Sequence, residues 1–352
     1  MINVGVVAIG RNEGERLRRC LSALVPLAVP VVYVDSGSND GSVALAQLMG
    51  VSVVELDRTI PFTAARARNA GFQSLLQANP TLDFVQFIDG DCEVSDGWFQ
   101  AAISCFEKTP DVAVVCGRRR ERFPDASIYN RLIDIEWDTP IGEIQSCGGD
   151  SLMKVATFDS VGRFDESIAA GEEPEYCSRL RNAGYRIQRV DAEMTKHDAA
   201  ITTISQWWRR HQRSGYGGLD VQQRFDLTMF DRELRSARVW TIGVLSLCLI
   251  VSFLSGLWLG FFGCIIGILV ATGLWCFQTM RISRFYRQKG LSLGSSLRAG
   301  LVSMAVKWAN LIGQMRYFRD RRHGKYSRLI EYKSDDNQSR TDRAITRETV
   351  SP

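Results

Sequence analysis

Hydrophobic and polar positions fall into two regimes along the chain. Up to about residue 230, short apolar runs alternate with stretches whose apolar residues recur at helical spacing, which predicts an α/β domain built on a mainly parallel sheet flanked by helices. Val4–Ile9 predicts the first strand, and Glu15–Leu24 a helix with Leu17, Leu21 and Leu24 inward and Arg16, Arg18 and Arg19 outward. Further strands are predicted at Val31–Val34, Val51–Leu56 and Phe84–Ile88, with helices over 43–49 and from Thr63 to about Gln77. The second regime is different in kind. From Val239 to Met280 there is no charged residue, about twice the ~20 positions that a spanning helix needs. Ser255-Gly256 near its middle predicts a tight turn between helices over 239–255 and 257–277, a transmembrane hairpin; a shallow re-entrant hairpin is the alternative, since each helix is short for a span.

Trp240, Trp258 and Trp275 suit interface positions, and Arg232, Arg235 and Arg238 before the hairpin match Arg281, Arg284, Arg287 and Lys289 after it. Basic flanks on both sides place both ends in the cytoplasm, so the expected location is the inner membrane with the preceding domain facing the cytoplasm. Residues 293–330 predict an amphipathic basic helical segment. Leu297, Leu301, Met304, Ala305, Trp308, Leu311, Ile312 and Met315 recur at helical spacing, as in a helix that lies among headgroups or packs on the hairpin. Arg316–Arg328 would favour an anionic leaflet, and the polar stretch 333–352 predicts disorder.

Composition changes this picture little. The 352 residues leave room for two or three domains, and a formal net charge of +4 makes no case for a nucleic-acid partner. The nine cysteines contain no C-x-x-C pair, and Cys105, Cys116, Cys248, Cys264 and Cys276 lie in apolar surroundings, as expected of reduced thiols rather than a disulfide framework. The opening apolar run is too short for a secretory signal.

The candidate chemistry centres on Asp89-Gly90-Asp91, where the predicted strand from Phe84 ends. Ligands of open α/β sheets sit outside the carboxyl ends of the strands. Two carboxylates one residue apart can face one hard cation there, and oxygen ligands suit Mg²⁺ or Mn²⁺ shared with substrate phosphates. Asp and Gly are also ordinary turn residues. The Asp35–Ser42 loop offers backbone amides at a helix start that can hold a nucleotide. No Gly-x-Gly-x-x-Gly follows the first strand and there is no Gly-Lys-Ser/Thr phosphate loop, which disfavours the common dinucleotide and triphosphate folds.

Five stretches resemble the inverting glycosyltransferases of family 2, which have the GT-A fold. They are Val7-Ala8-Ile9-Gly10-Arg11-Asn12-Glu13, Val34–Ser42, Ala67-Arg68-Asn69-Ala70-Gly71, Asp89-Gly90-Asp91, and Gly162-Arg163-Phe164-Asp165-Glu166 followed by Gly171-Glu172-Glu173-Pro174-Glu175. The similarity runs over about residues 1–220. It implies a nucleotide-sugar donor, a divalent metal, and direct displacement at the anomeric carbon with inversion. By the same resemblance Asp91 is the main metal ligand, with Asp89 on the metal or the ribose, and His197 is a third ligand. Glu173 takes the position of the general base, where Asp is more usual. Ala8, Glu13, Asp35, Arg66, Arg68 and Asp89 fall on the donor side; Gly149, Asp150 and Glu172 fall on the acceptor side, with Trp207 as a stacking or membrane-contact residue. Asp35-Ser36 stands where many members have two acids. Gln206-Trp207-Trp208-Arg209-Arg210 departs from the Gln-x-x-Arg-Trp of processive synthases. The expected protein is a membrane-attached transferase that adds a sugar to a lipid-linked or membrane-proximal glycan acceptor. A processive polysaccharide synthase and a non-catalytic nucleotide-sugar-binding membrane scaffold are the alternatives.

Overall fold

A computed structural model describes residues 3–323; the expected 333–352 tail and residues 324–330 of the basic segment lie outside them. The described chain divides into two compact units, one of residues 3–124 and 133–199, the other of 125–132 and 200–323. Residues 200–230, grouped with the α/β domain on the sequence pattern, therefore pack with the C-terminal helices.

The first unit carries β1 (Val4–Gly10), α1 (Glu15–Leu24), β2 (Val31–Asp35), α2 (Ser42–Leu48), β3 (Ser52–Glu55), α3 (Ala64–Ala78), β4 (Phe84–Asp89), β5 (Cys92–Val94), α4 (Trp98–Lys108) and β6 (Val112–Glu121). After α5 (Ile128–Glu136), which crosses the unit boundary, come β7 (Gly142–Glu143), β8 (Ser151–Lys154), α6 (Val155–Ser160), α7 (Glu172–Asn182) and β9 (Arg186–His197). The strands form one sheet in the order β3-β2-β1-β4-β8-β6-β9-β5, with β7 added on β9. Parallel pairing, as expected, runs through β3-β2-β1-β4 and joins β6 to β9. β8 pairs antiparallel with both β4 and β6, and β5 antiparallel with β9, so the sheet is mixed. The sequence pattern shows where strands lie but not their direction, because a strand buried on both faces reads alike either way.

The parallel half brings several strand ends to one edge. Gly10 stands opposite Asp35, and Ile9 opposite Asp89. Helix α3 lies close on this half at Gly71, where a Cβ would strike Val7 and come within 2.7 Å of Val34 Cγ2. Its start is fixed by Thr63, whose side chain accepts from Arg66 N, one of the amides that a helix leaves without an internal partner. A cluster of Phe72, Phe87, Phe158, Phe164 and Tyr176 fills the space beside it, with ring centroids 4.8–5.4 Å apart.

The second unit is helical: α8 (Ile204–Phe225), α9 (Asp231–Arg238), a π-helical segment over Val239–Gly243, α10 (Val244–Leu259), α11 (Phe261–Gln288) and α12 (Leu293–Arg322). Two of its helical stretches, Thr228–Leu259 and Phe261–Gln288, are long and apolar enough to cross a membrane. The turn falls at Gly260, not at Ser255-Gly256. Those small residues serve the helix pair instead. A Cβ on Gly263 would collide with the backbone of Ser255 and Gly256, and Ser255 Oγ donates to Gly263 O at 2.7 Å. Small residues at a helix–helix contact let the backbones approach in this way.

Helix α12 inverts the usual amphipathic arrangement. Its buried positions include Ser296, Ala299, Gly300, Asn310, Gly313 and Gln314, whereas Leu297, Leu301, Ile312 and Met315 are 41–59% exposed. Of the eight apolar residues predicted to share one face, Met304 and Leu311 turn inward. The buried polar side chains are paired: Asn310 Nδ2 donates to Glu233 Oε1 at 2.9 Å, Gln314 Nε2 to Asn310 Oδ1 at 2.8 Å, and Arg238 Nε to Gln314 Oε1 at 2.6 Å.

Candidate active site

The carboxyl edge of the parallel half gathers the chemistry. Asp35, 1% exposed, ends β2 and accepts from Gly37 N, Ser38 N and Tyr33 Oη at 2.7–3.1 Å. It organises its own loop and leaves little of the carboxylate for anything else. Glu13 pairs with Arg16 at 2.8 Å and lies beside Gly10 and Gly90. Asp89 ends β4. Its backbone N donates to Asp150 Oδ1 at 3.0 Å, and its carboxylate pairs with Arg68 Nη2 at 2.8 Å. Arg68 also holds Glu172 Oε1 at 2.5 Å, so one guanidinium joins the β4 end to the start of α7. Burial disfavours that charge, yet Asp89, Glu172 and Asp150 outweigh it and hold the pKa of Arg68 above its ordinary value.

After Gly90 the chain turns so that Cys92 of β5 stands opposite His197 of β9. Asp91 and His197 thereby face each other, with Oδ2 3.3 Å from Nε2, both nearly buried. On the other side of the ring Nδ1 lies 3.8 Å from Glu121 Oε2, and Trp137 packs edge-on with centroids 4.7 Å apart. In the tautomer that carries its proton on Nδ1, the imidazole offers its Nε2 lone pair on the side of Asp91. Two ligand atoms each about 2.1 Å from an ion and at right angles are about 3 Å apart, so the Asp91–His197 spacing fits a shared divalent metal.

The remaining expected residues are placed unevenly. A Cβ on Gly149 would come within 2.8 Å of Arg68 Nη2 and 3.2 Å of Asp89 Oδ2, so the loop lies close against the pair. Glu173, at the start of α7, accepts from Ser146 Oγ with both oxygens at 2.8 Å, and its Oε1 also takes Cys147 N at 2.6 Å and Cys177 Sγ at 3.0 Å. Oε2 thus keeps a lone pair. Asp150 is not an acceptor contact: it is fully buried under β4, held by Thr195 Oγ1 at 2.8 Å and Arg119 at 3.0 Å as well as by Asp89 N. Ala8 is buried inside β1, away from the edge. Arg66 donates to Ile60 O at 2.9 Å and Asp57 O at 3.0 Å, bracing the segment before α3. Trp207 belongs to the second unit and is 3% exposed there, packed on Tyr129 and His211; neither sugar stacking nor lipid contact suits a ring so enclosed.

Two residues escaped the sequence reading, Arg119 and Glu121. Both lie at the end of β6, and Arg119 stacks 5.2 Å over Trp137 while reaching Asp150. The available signal was the charged run Arg118–Glu121 at the end of the apolar Val112–Cys116, in which alternate residues share a face.

A mixed sheet whose parallel half ends in an aspartate pair, with a histidine returned to it by the last strand, defines the GT-A class of glycosyltransferase folds. Residues 6–166 match the family described as Glycosyl transferase family 2. Glycosyltransferase AglE of Haloferax volcanii is 24% identical over 231 residues, 62% of this chain and 73% of that protein. The succinoglycan biosynthesis protein ExoA of Rhizobium meliloti is 26% identical over 215 residues, 58% of this chain and 62% of its own length. Among solved structures, the mannosyltransferase PcManGT of Pyrobaculum calidifontis, in complex with GDP-Man and Mn²⁺, has the same fold. Its TM-score is 0.55 at 13% identity, over 90% of this chain and 87% of that one.

Proposed function

We propose that this protein moves a sugar from a nucleotide-sugar donor to a lipid-linked or membrane-proximal glycan acceptor, with inversion at the anomeric carbon, during synthesis of a cell-surface polysaccharide or glycolipid. The observation that carries the reading is the meeting of Asp91 and His197 at 3.3 Å beside the Asp89 end of β4. The mannosyltransferase of like fold is bound to GDP-Man and Mn²⁺, in keeping with a donor of this class and with Mg²⁺ or Mn²⁺ here. Asp91 and His197 would hold the ion, with Asp89 nearby, and the ion supplies positive charge against the diphosphate that leaves. Arg68, fixed by Asp89 and Glu172, adds a cation that needs no reorganisation during the reaction. The Asp35–Ser42 loop and Glu13 border the nucleoside end. The acceptor hydroxyl loses its proton to Glu173 Oε2 as it attacks, while Ser146, Cys147 N–H and Cys177 fix the carboxylate from behind.

Membrane attachment rests on the two apolar helices and on the exposed side chains Phe253, Trp258, Phe261, Phe262 and Leu269. In this reading the helices anchor the enzyme in the inner membrane, and basic residues on both flanks keep the catalytic domain cytoplasmic. The test is donor hydrolysis and transfer by purified full-length protein. A panel of nucleoside-diphosphate sugars is offered with Mn²⁺ or Mg²⁺, with and without lipid extract, beside Asp91→Ala and Glu173→Gln. Metal-dependent release of one nucleoside diphosphate that requires Asp91 names the donor. Loss of transfer with donor binding kept in Glu173→Gln assigns the base, and product length separates single addition from chain synthesis. If no donor binds with either metal, the transferase reading fails.

A further inference from the structure

Behind the carboxylate of Glu173 lies a second set of ligand atoms that differs in kind from the first. Cys147 Sγ, Cys177 Sγ and a Glu173 oxygen all lie within 4.8 Å of one another, and all three residues are buried. The two sulfurs are 3.6 Å apart and both are free thiols. Glu173 and Cys177 stand one turn apart on the same face of α7, and Cys147 approaches from the loop before β8. We propose that Cys147, Cys177 and Glu173 form a binding site for a soft, thiophilic divalent cation of the Zn²⁺ class, separate from the Asp91–His197 site.

Geometry and chemistry support this assignment independently. Two thiolates about 2.3 Å from a tetrahedral ion are separated by about 3.8 Å, so the observed spacing needs only a small adjustment. The donor sets differ: Asp91, Cys92 and His197 offer one carboxylate, one imidazole and a single thiol, whereas Cys147 and Cys177 offer paired sulfur, which selects softer ions. Binding one M²⁺ breaks two S–H bonds, forms two M–S bonds and releases two protons, which makes uptake favour higher pH. A filled site also draws on Glu173 Oε1. That consequence rests on the reading of Glu173 as the base: the soft ion would inhibit transfer while the hard ion supports it.

The experiment is a Co²⁺ titration of metal-stripped, freshly reduced full-length protein in detergent, followed by Zn²⁺ displacement. The expected result is a thiolate-to-cobalt charge-transfer band with the visible bands of a tetrahedral site, lost in Cys147→Ser and in Cys177→Ser. The band persists in Cys92→Ser, which separates it from the Asp91–Cys92–His197 group. Unfolding transitions establish that each variant is folded; should a serine variant not fold, X-ray absorption at the cobalt edge of the wild-type protein decides by counting sulfur neighbours. Absence of the band in the wild type, or its survival in Cys147→Ser or Cys177→Ser, overturns the site. In a parallel transfer assay with Mn²⁺, one equivalent of Zn²⁺ should slow the wild type on the order of 10²-fold and spare Cys177→Ser. A sulfur-bound ion with no inhibition keeps the site and removes Glu173 as the base.

Discussion

The two units solve opposite packing problems with the same alphabet. In the sheet unit the large apolar side chains are inside: Phe72, Phe87, Phe158 and Tyr176 are at most 1% exposed, and charge collects at one edge of the strands. In the helical unit Phe253, Trp258, Phe261 and Phe262 are 68–88% exposed, and the helix contacts are made by Gly263, Ser255, Gly300, Asn310 and Gln314. Water favours burying apolar area. In an apolar surrounding that force between helices is gone, and close backbone approach and internal hydrogen bonds take its place. The exposed apolar side chains of the α10–α11 pair and its small-residue contact are therefore the structural counterpart of the proposed membrane attachment.

The comparison is sharpest where function and fold separate. Replacing Asp91 by Ala should lower transfer on the order of 10³-fold, about 4 kcal/mol of barrier, and removing divalent metal from the wild type should match it. The unfolding transition of the variant should stay near that of the wild type, because the Asp91 carboxylate meets His197 rather than filling apolar packing; a collapse of the fold instead would make Asp91 a structural residue. Next in size is Phe158→Ala. It empties the centre of the aromatic cluster, whose ring is packed on four others, and should cost about 3–5 kcal/mol by chemical denaturation. Loss below 1 kcal/mol would mean that this core is not packed as described.

How far the residues told this in advance differs between the units for the same reason. The N-terminal half was legible almost to the residue. Glu15–Leu24 is a helix over those bounds, and Thr63 caps α3, because strand runs, caps and an inward leucine face are local signals that water enforces. Asp89 and Asp91 stand out because an apolar strand run ends abruptly in them, whereas His197 is marked only by the family resemblance and meets Asp91 through the β5–β9 pairing. Asp150 was misread because a buried strut and a ligand-facing acid look alike until the strand beneath is known. Trp207 was misread because helical spacing does not say which side is covered. The turn placed at Ser255-Gly256 failed because small residues mark both turns and close helix contacts. Arg119 and Glu121 were passed over because their importance comes from β8 and β9, distant in sequence.

The helical unit should respond to volume in the opposite sense to the sheet. Gly263→Leu adds bulk where a single Cβ already meets the opposing backbone. It should lower the stability of the detergent-solubilised protein by about 1–3 kcal/mol, read as an earlier thermal transition, while leaving donor binding by the sheet unit in place. Tolerance of leucine there would mean that α10 and α11 do not meet through Gly263.

The smallest effect is the most discriminating. Leu301 and Met304 are three residues apart on α12, and the sequence pattern puts them in one apolar stripe. In the structure Leu301 is 58% exposed and Met304 is fully buried. Met304→Ala should cost about 2–5 kcal/mol in detergent, whereas Leu301→Ala should stay within about 0.5 kcal/mol, since a detergent tail covers its position equally well in the folded and unfolded helix. The two substitutions remove similar apolar volume, so side-chain chemistry cannot account for a difference between them; only the direction each residue faces can. Equal costs would put Leu301 inside the helix packing, return α12 to an ordinary amphipathic helix with its apolar face inward, and take away the exposed stripe on which the contrast between the two units depends.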